Sequence, residues 1–190
     1  MRDKIYAEQN GPVKDFTFDQ SVVEVFPDMI QRSVPGYATI ISTIGKIAGQ
    51  FHQANSNLYD LGCSLGAATL AMRKEVSKDG CQIIGVDNSQ AMVEKCRLHV
   101  QAYKSDVPVT IEMADITDIG LENASVVVMN FTLQFIPPER RQSLLDKIYA
   151  GLRPGGVLIL SEKLKWSDST INNVINDLHL DFKRANGYSE

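Results

Sequence analysis

The sequence predicts an α/β fold built on a Rossmann-like, doubly wound parallel sheet, and three observations carry that prediction. Short apolar runs alternate with amphipathic stretches between Asn57 and Ser161, the pattern of parallel strands joined by crossover helices. A glycine-bearing turn, Gly62-Cys63-Ser64-Leu65-Gly66, directly follows the first run. The run Ala124–Asn130 is continuous and rich in valine, as in strands covered on both faces.

Taken in order, the first 20 residues are polar and mixed and read as a loosely packed arm. Val22, Val23, Val25, Phe26, Met29 and Ile30 recur at helical spacing. Pro35-Gly36 breaks that helix, and a second one carries Tyr37, Ile40, Ile41, Ile44 and Ile47. Residues 21–51 are thus expected to form a helical cap. The core is expected over 55–165, with strands at Asn57–Leu61, Gln82–Val86, Val107–Met113, Ala124–Asn130 and Gly156–Ser161. Its helices are placed at Gly66–Val76, Ala91–Tyr103 and Pro138–Leu152. Residues 166–190 read as a closing helical segment, and the whole of 1–190 as one domain.

Composition narrows the function. Nineteen Lys and Arg against 23 Asp and Glu give a net charge of −4, without the basic footprint that nucleic-acid binding needs. No apolar run approaches the ~20 residues of a membrane helix, and the N-terminus lacks a signal-peptide core. Cys63, Cys81 and Cys96 are odd in number with no paired spacing, so reduced thiols and a cytoplasmic location are expected. No metal-ligand spacing is present, and no metal is expected.

The chemistry concentrates at strand ends. Gly62 and Gly66 permit close backbone approach before a helix N-terminus, as in a nucleotide-binding loop; glycines there also serve as plain turn formers. Asp87 follows Gly62 by 25 residues at the end of the second strand, where such folds place the carboxylate that takes both ribose hydroxyls. The alternative for Asp87 is a helix N-cap. After the third strand, Asp115 suits an adenine amino group and Ile116 its ring, with Asp118 as a solvated turn residue. Cys63 lies beside a helix N-terminus but lacks a visible base partner, so it reads as packing rather than as a nucleophile.

Leu152-Arg153-Pro154-Gly155-Gly156 before strand five is a turn typical of S-adenosylmethionine enzymes, and Asn130–Phe135 places polar and aromatic groups at a ligand-binding edge. No Tyr-x-x-x-Lys or catalytic histidine pattern for hydride transfer is found. His52, His99 and His179 read as surface or packing residues. Together these elements favour a domain of the class I S-adenosylmethionine-dependent methyltransferase type over a dehydrogenase.

Phe16–Asp19, Val25–Tyr37, Tyr59–Gly66, Asn130–Phe135 and Asp181–Glu190 resemble the carboxy-S-adenosyl-L-methionine synthase family, and the likeness runs from about residue 16 to the end. That resemblance implies a reaction of S-adenosylmethionine with prephenate. Prephenate yields carbon dioxide and phenylpyruvate, and the sulfonium methyl loses a proton to form an ylide that captures the carbon dioxide. The product, carboxy-S-adenosyl-L-methionine, would pass to a tRNA carboxymethyltransferase that builds oxyacetyl groups on wobble uridine. The resemblance further implies a homodimer; from charge balance and apolar run length, neither direct nucleic-acid binding nor a membrane partner is expected. The resemblance places Tyr37 at the methionine end of the ligand, Gly62, Cys63 and Ser64 along it, Asp87 and Asn88 at the ribose, Asp115 and Ile116 at the adenine, and Asn130 on the pocket floor. From the residues alone, Tyr37 reads as a packing aromatic. Catalytic residues are left unassigned. Methyltransferase-type sheets end in an antiparallel hairpin, and the family holds the new carboxylate with an arginine beyond the Tyr188-Ser189-Glu190 stretch; both are expected to be missing from this chain. Neither Arg32 nor Arg184 is assigned that task. A conventional methyltransferase acting on a small molecule or tRNA, and a non-catalytic S-adenosylmethionine-binding module, are the alternatives.

Overall fold

A computed structural model describes residues 20–77 and 79–188; the expected N-terminal arm lies outside them. The described residues fall into two compact units, one comprising residues up to Thr39 and from Leu164 onward, the other Ile40–Lys163.

The larger unit contains the sheet. β1 (Asn57–Leu61), β2 (Gln82–Asp87), β3 (Val109–Met113), β4 (Ala124–Asn130) and β5 (Leu152–Ser161) lie in the order β3-β2-β1-β4-β5, and every pairing is parallel. The chain winds outward in one direction through β2 and β3 and in the other through β4 and β5. The reversal between β1 and β4 opens the crevice in which ligands of such sheets bind.

Alternation along β1 and β4 explains why those runs are apolar throughout. Leu58, Val126 and Val128 face a cluster with Ile44 and Ala48 of α2 (Tyr37–Phe51) and Met72 of α3 (Ala67–Glu75). Tyr59, Leu61, Val127 and Met129 face the opposite cluster with Leu144 and Ile148 of α5 (Pro138–Gly151). Successive side chains of a strand point to opposite faces, so a strand covered by helices on both sides has no polar positions to spare. Each fully buried aliphatic side chain contributes roughly 1.5–3 kcal/mol. α4 (Gln90–Ala102) supplies a third cluster, in which Val93, Cys96 and Val100 pack with Cys63 and Ile111.

Three strand boundaries differ from the sequence expectation. β2 runs on to Asp87 rather than ending at Val86. β3 starts at Val109 rather than Val107, because Pro108 has no amide to donate to a ladder. β5 starts at Leu152 rather than Gly156. Leu152 pairs with Ala124, and a register shift before the Val126–Val157 pair takes up the Pro-Gly-Gly segment, where Gly155 adopts φ +80°. A bulge thus keeps in the strand a segment that reads as a turn.

The smaller unit contains α1 (Gln20–Ser33) and α6 (Ser169–Ala185), the latter capped by the Asp168 carboxylate on the Ile171 amide. Arg32 joins the two helices. Its guanidinium bonds Asp28 at 2.9 Å and the Asn186 carbonyl at 2.6 Å, and lies 4.4 Å from the centre of the Tyr188 ring. His179 adds a bond to the Ser33 carbonyl at 2.8 Å. The stretches around Pro27–Tyr37 and Phe182–Tyr188, distant in sequence, therefore meet through Arg32. Arg184 pairs with Asp181 at 3.1 Å.

Candidate functional site

The carboxyl ends of β1 and β4 flank the crevice, and the loop after β1 is held by bonds at nearly every residue. The amides of Gly62 and Cys63 both donate to the Val86 carbonyl, and that of Gly66 to the Cys63 carbonyl. His99 of α4 bonds the Leu65 carbonyl at 3.0 Å. Gly62 adopts φ +80°, and a Cβ there would sit 2.5 Å from the Thr132 side chain. Only glycine satisfies both demands, and the close approach fixes the β1 loop against the loop after β4. Ser64 is also left-handed, at φ +49°, a conformation that costs a non-glycine residue about 1–3 kcal/mol and persists because its neighbours hold it.

One of those neighbours is Asp87. Its Oδ2 accepts the Ser64 amide at 2.8 Å and its Oδ1 the Ser89 amide at 2.9 Å. The carboxylate therefore ties the glycine loop to the end of β2. The N-cap of α4 is Ser89, whose hydroxyl accepts the Met92 amide, so the capping alternative for Asp87 is filled by another residue. Burial pushes the Asp87 carboxyl above its ordinary value, and the amide bonds from Ser89 and Ser64 oppose that rise. The two carboxylate oxygens together accept about four hydrogen bonds, so with the Ser89, Ser64 and Asn88 amides in place the group retains capacity for a further donor.

The remaining expected residues occupy different settings. Asn88 is exposed. The Ala114 amide donates to the Asp87 carbonyl, which brings the Asp115 turn beside Asp87. Asp115 Oδ1 accepts both the amide and the hydroxyl of Thr117, at 2.8 and 2.6 Å, and these bonds hold its carboxyl below the ordinary range. Asp118 is a solvated turn residue, with a long contact to Arg140. Ile116 is buried in the cluster with Tyr59, Leu61 and Val86. Cys63 is buried beside Cys96, and the hydrogen bond with Cys96 together with burial raises its thiol well above the usual value. That is the opposite of an activated nucleophile. All three cysteines are free. Tyr37, half-buried, opens α2 in the smaller unit. Asn130 ends β4, and its Oδ1 is buried without a hydrogen-bond partner among the described residues.

Asp60 is a further element of the loop's support. It lies fully buried at the end of β1, accepts the Thr69 hydroxyl at 2.6 Å, and is pushed up to about 6, burial being the main cause. The signal for it is a charged residue between Tyr59 and Leu61 in an otherwise apolar strand. Thr132, the residue that forces glycine at 62, left no such mark.

These features suit a nucleoside with a vicinal diol. Asp87 offers acceptors, the Gly62 loop offers backbone without side-chain bulk, and Asn130 offers an unused buried acceptor. Among the described residues, no group of three or more His, Cys, Asp or Glu side chains could hold a metal, and no helix is long and apolar enough to cross a membrane.

Comparison with known proteins follows the same lines. The model of the methyltransferase domain family matches residues 58–156. A carboxy-S-adenosyl-L-methionine synthase from Pseudoalteromonas translucida is 65% identical over 190 residues, covering all of this chain and 78% of the relative. The protein of that name from Vibrio parahaemolyticus is 64% identical over 188 residues, covering 99% of this chain and 77% of its own. Among solved structures, a candidate S-adenosyl-L-methionine-dependent methyltransferase from Methanococcus maripaludis superimposes with a TM-score of 0.62 at 18% identity, covering 90% of this chain and 75% of that one. At that identity the likeness speaks for the fold.

Proposed function

The chain belongs to the carboxy-S-adenosyl-L-methionine synthase family, and from that premise we propose that it converts S-adenosyl-L-methionine and prephenate to carboxy-S-adenosyl-L-methionine and phenylpyruvate. The observation that carries the proposal is identity of 65% along the entire chain to a relative of that name. The reaction balances. Prephenate releases carbon dioxide and a hydroxyl group, the sulfonium methyl exchanges one proton for the carboxyl group, and that proton leaves with the hydroxyl as water. When bound, S-adenosylmethionine supplies a positive sulfur that acidifies the attached methyl.

The chain's own part in this reading is binding and orientation. Asp87 takes the ribose hydroxyls on the acceptor capacity left free by the Ser89, Ser64 and Asn88 amides. Gly62 and Ser64 present backbone to the ligand. Asp115 and Ile116 stand at the adenine, with Asn88 at the rim. Asn130 meets a ligand donor with its buried oxygen. Cys63 contributes backbone, because its thiol is directed into the packing around Cys96. The product is consumed by a tRNA carboxymethyltransferase, and the protein works as a cytoplasmic homodimer.

The test is mass spectrometry of full-length protein incubated with S-adenosylmethionine and prephenate. The expected result is a nucleoside heavier than S-adenosylmethionine by one carbon dioxide, formed in step with phenylpyruvate. Unchanged S-adenosylmethionine, or S-adenosylhomocysteine formed on adding a methyl acceptor, would overturn the proposal and favour a conventional methyltransferase.

A further inference from the structure

We propose that Glu162 is a ligand-binding residue of this site, its carboxylate acting with the Asn130 amide oxygen as the counter-charge for the cationic part of the bound sulfonium amino acid. The inference rests on the reading that the site takes S-adenosylmethionine.

Glu162 is the first residue beyond β5, and its neighbour Ser161 pairs with Asn130 at the end of β4. The chain after Asn130 turns sharply. Phe131 is left-handed at φ +59° while its amide still donates to the Ser161 carbonyl at 2.8 Å. Glu162 Oε1 then accepts the Leu133 amide at 2.6 Å. This bond anchors one end of the 131–133 loop, and the Thr132 contact with Gly62 anchors it to the β1 loop. The other oxygen, Oε2, is buried and has no hydrogen-bond partner; among the described residues it shares that condition with Asn130 Oδ1 alone.

Two buried acceptors without donors thus stand at the ends of adjacent strands, at the sheet edge that carries the glycine loop. Leaving a buried acceptor unpaired is costly, more so for a carboxylate. The Leu133 amide is satisfied by Oε1 alone, and no donor among the described residues reaches Oε2. Arg141, whose charge acts on Glu162, donates to the carbonyls of Ile136 at 2.8 Å and Gln134 at 3.3 Å. Burial raises the Glu162 carboxyl against the pull of the Leu133 and Gln134 amides, of Arg141 and of the Lys163 amide, and a bound cation would oppose that rise.

S-adenosylmethionine has two positive centres, the sulfonium and the α-ammonium. S-adenosylhomocysteine keeps only the ammonium, and 5′-methylthioadenosine keeps neither. Titration calorimetry of wild-type protein and Glu162→Gln with these three ligands tests the assignment, because glutamine preserves the acceptor for Leu133 and removes the charge. The expected result is S-adenosylmethionine binding weakened about ten- to a hundredfold, with 5′-methylthioadenosine changed less than twofold. A parallel loss for S-adenosylhomocysteine assigns the partner as the ammonium; its preservation assigns the sulfonium. Equal effects on S-adenosylmethionine and 5′-methylthioadenosine, or no effect on either, would overturn the inference while leaving the proposed function intact. Failure of wild-type protein to bind any of the three would overturn both. The readout is the ratio of two affinities, which is insensitive to the folded fraction, so Glu162→Ala serves as a second variant if the glutamine form folds poorly.

Discussion

Asp87 and Asp115 stand at the carboxyl ends of neighbouring strands, and each accepts the backbone amide two residues ahead, from Ser89 and Thr117 respectively. Locally they are the same turn. They differ in what each does with its remaining capacity. Asp87 reaches across 23 residues to the Ser64 amide, and desolvation of this half-buried group raises its carboxyl. Asp115, also half-buried, closes on the Thr117 hydroxyl beside it and is lowered by those bonds and by Arg140 and Lys147. A turn motif therefore places a carboxylate, while the distant partner decides whether it becomes structural.

The sharpest way to break this comparison is to truncate both residues. Asp87→Ala strips an acceptor from two amides, one in the left-handed loop, and is expected to cost about 2–4 kcal/mol in urea denaturation. Asp115→Ala is expected to cost about 0.5–1 kcal/mol. Equal losses would mean that the long-range bond adds nothing.

Asp60 extends the contrast through pH. Its folded pKa of about 6 exceeds the ordinary carboxylate value near 4, so the folded state binds its proton more tightly than the unfolded chain. Its contribution therefore disfavours folding progressively as pH rises from about 4 to about 6. Asp60→Asn removes this titration and can keep an acceptor for Thr69. Relative to wild type, the variant is expected to gain about 3 kcal/mol between pH 4 and pH 7. Parallel stability curves for the two proteins would show that Asp60 does not titrate in that window.

The smallest effect is expected at Asp115→Asn. A lowered carboxyl contributes stability above its ordinary pKa and loses it as pH falls through the folded value. Solvent still reaches and screens this half-buried group, so the change at pH 7 should stay below about 0.5 kcal/mol. A larger loss would place Asp115 with Asp87 as a structural carboxylate.

Much of the fold was legible where a single physical demand acts along the chain. β1 and β4 begin and end where the apolar runs do, because a strand covered on both faces tolerates few polar side chains. The glycine loop was legible because φ near +80° selects glycine at 62. β5 was less so: Arg153-Pro154-Gly155-Gly156 has turn composition, and only pairing of Leu152 with Ala124 across a bulge draws it into the strand. Glu162 was not legible at all, since a glutamate after a strand reads as solvated surface.

The sequence by itself determined the alternation of elements, the loop after β1 and the likeness to one family, because periodicity, backbone preference and motif spacing act over a few residues. Tertiary structure alone decided that Ser64 lies against Asp87, that Thr132 excludes any Cβ at residue 62, that Cys63 is shielded by Cys96, and that Arg32 is engaged by a carbonyl 154 residues away. Burial and long-range hydrogen bonding depend on which strands become neighbours. For Asp87 and Asp115, whose local turns match, that neighbourhood alone sets the opposite charge behaviour.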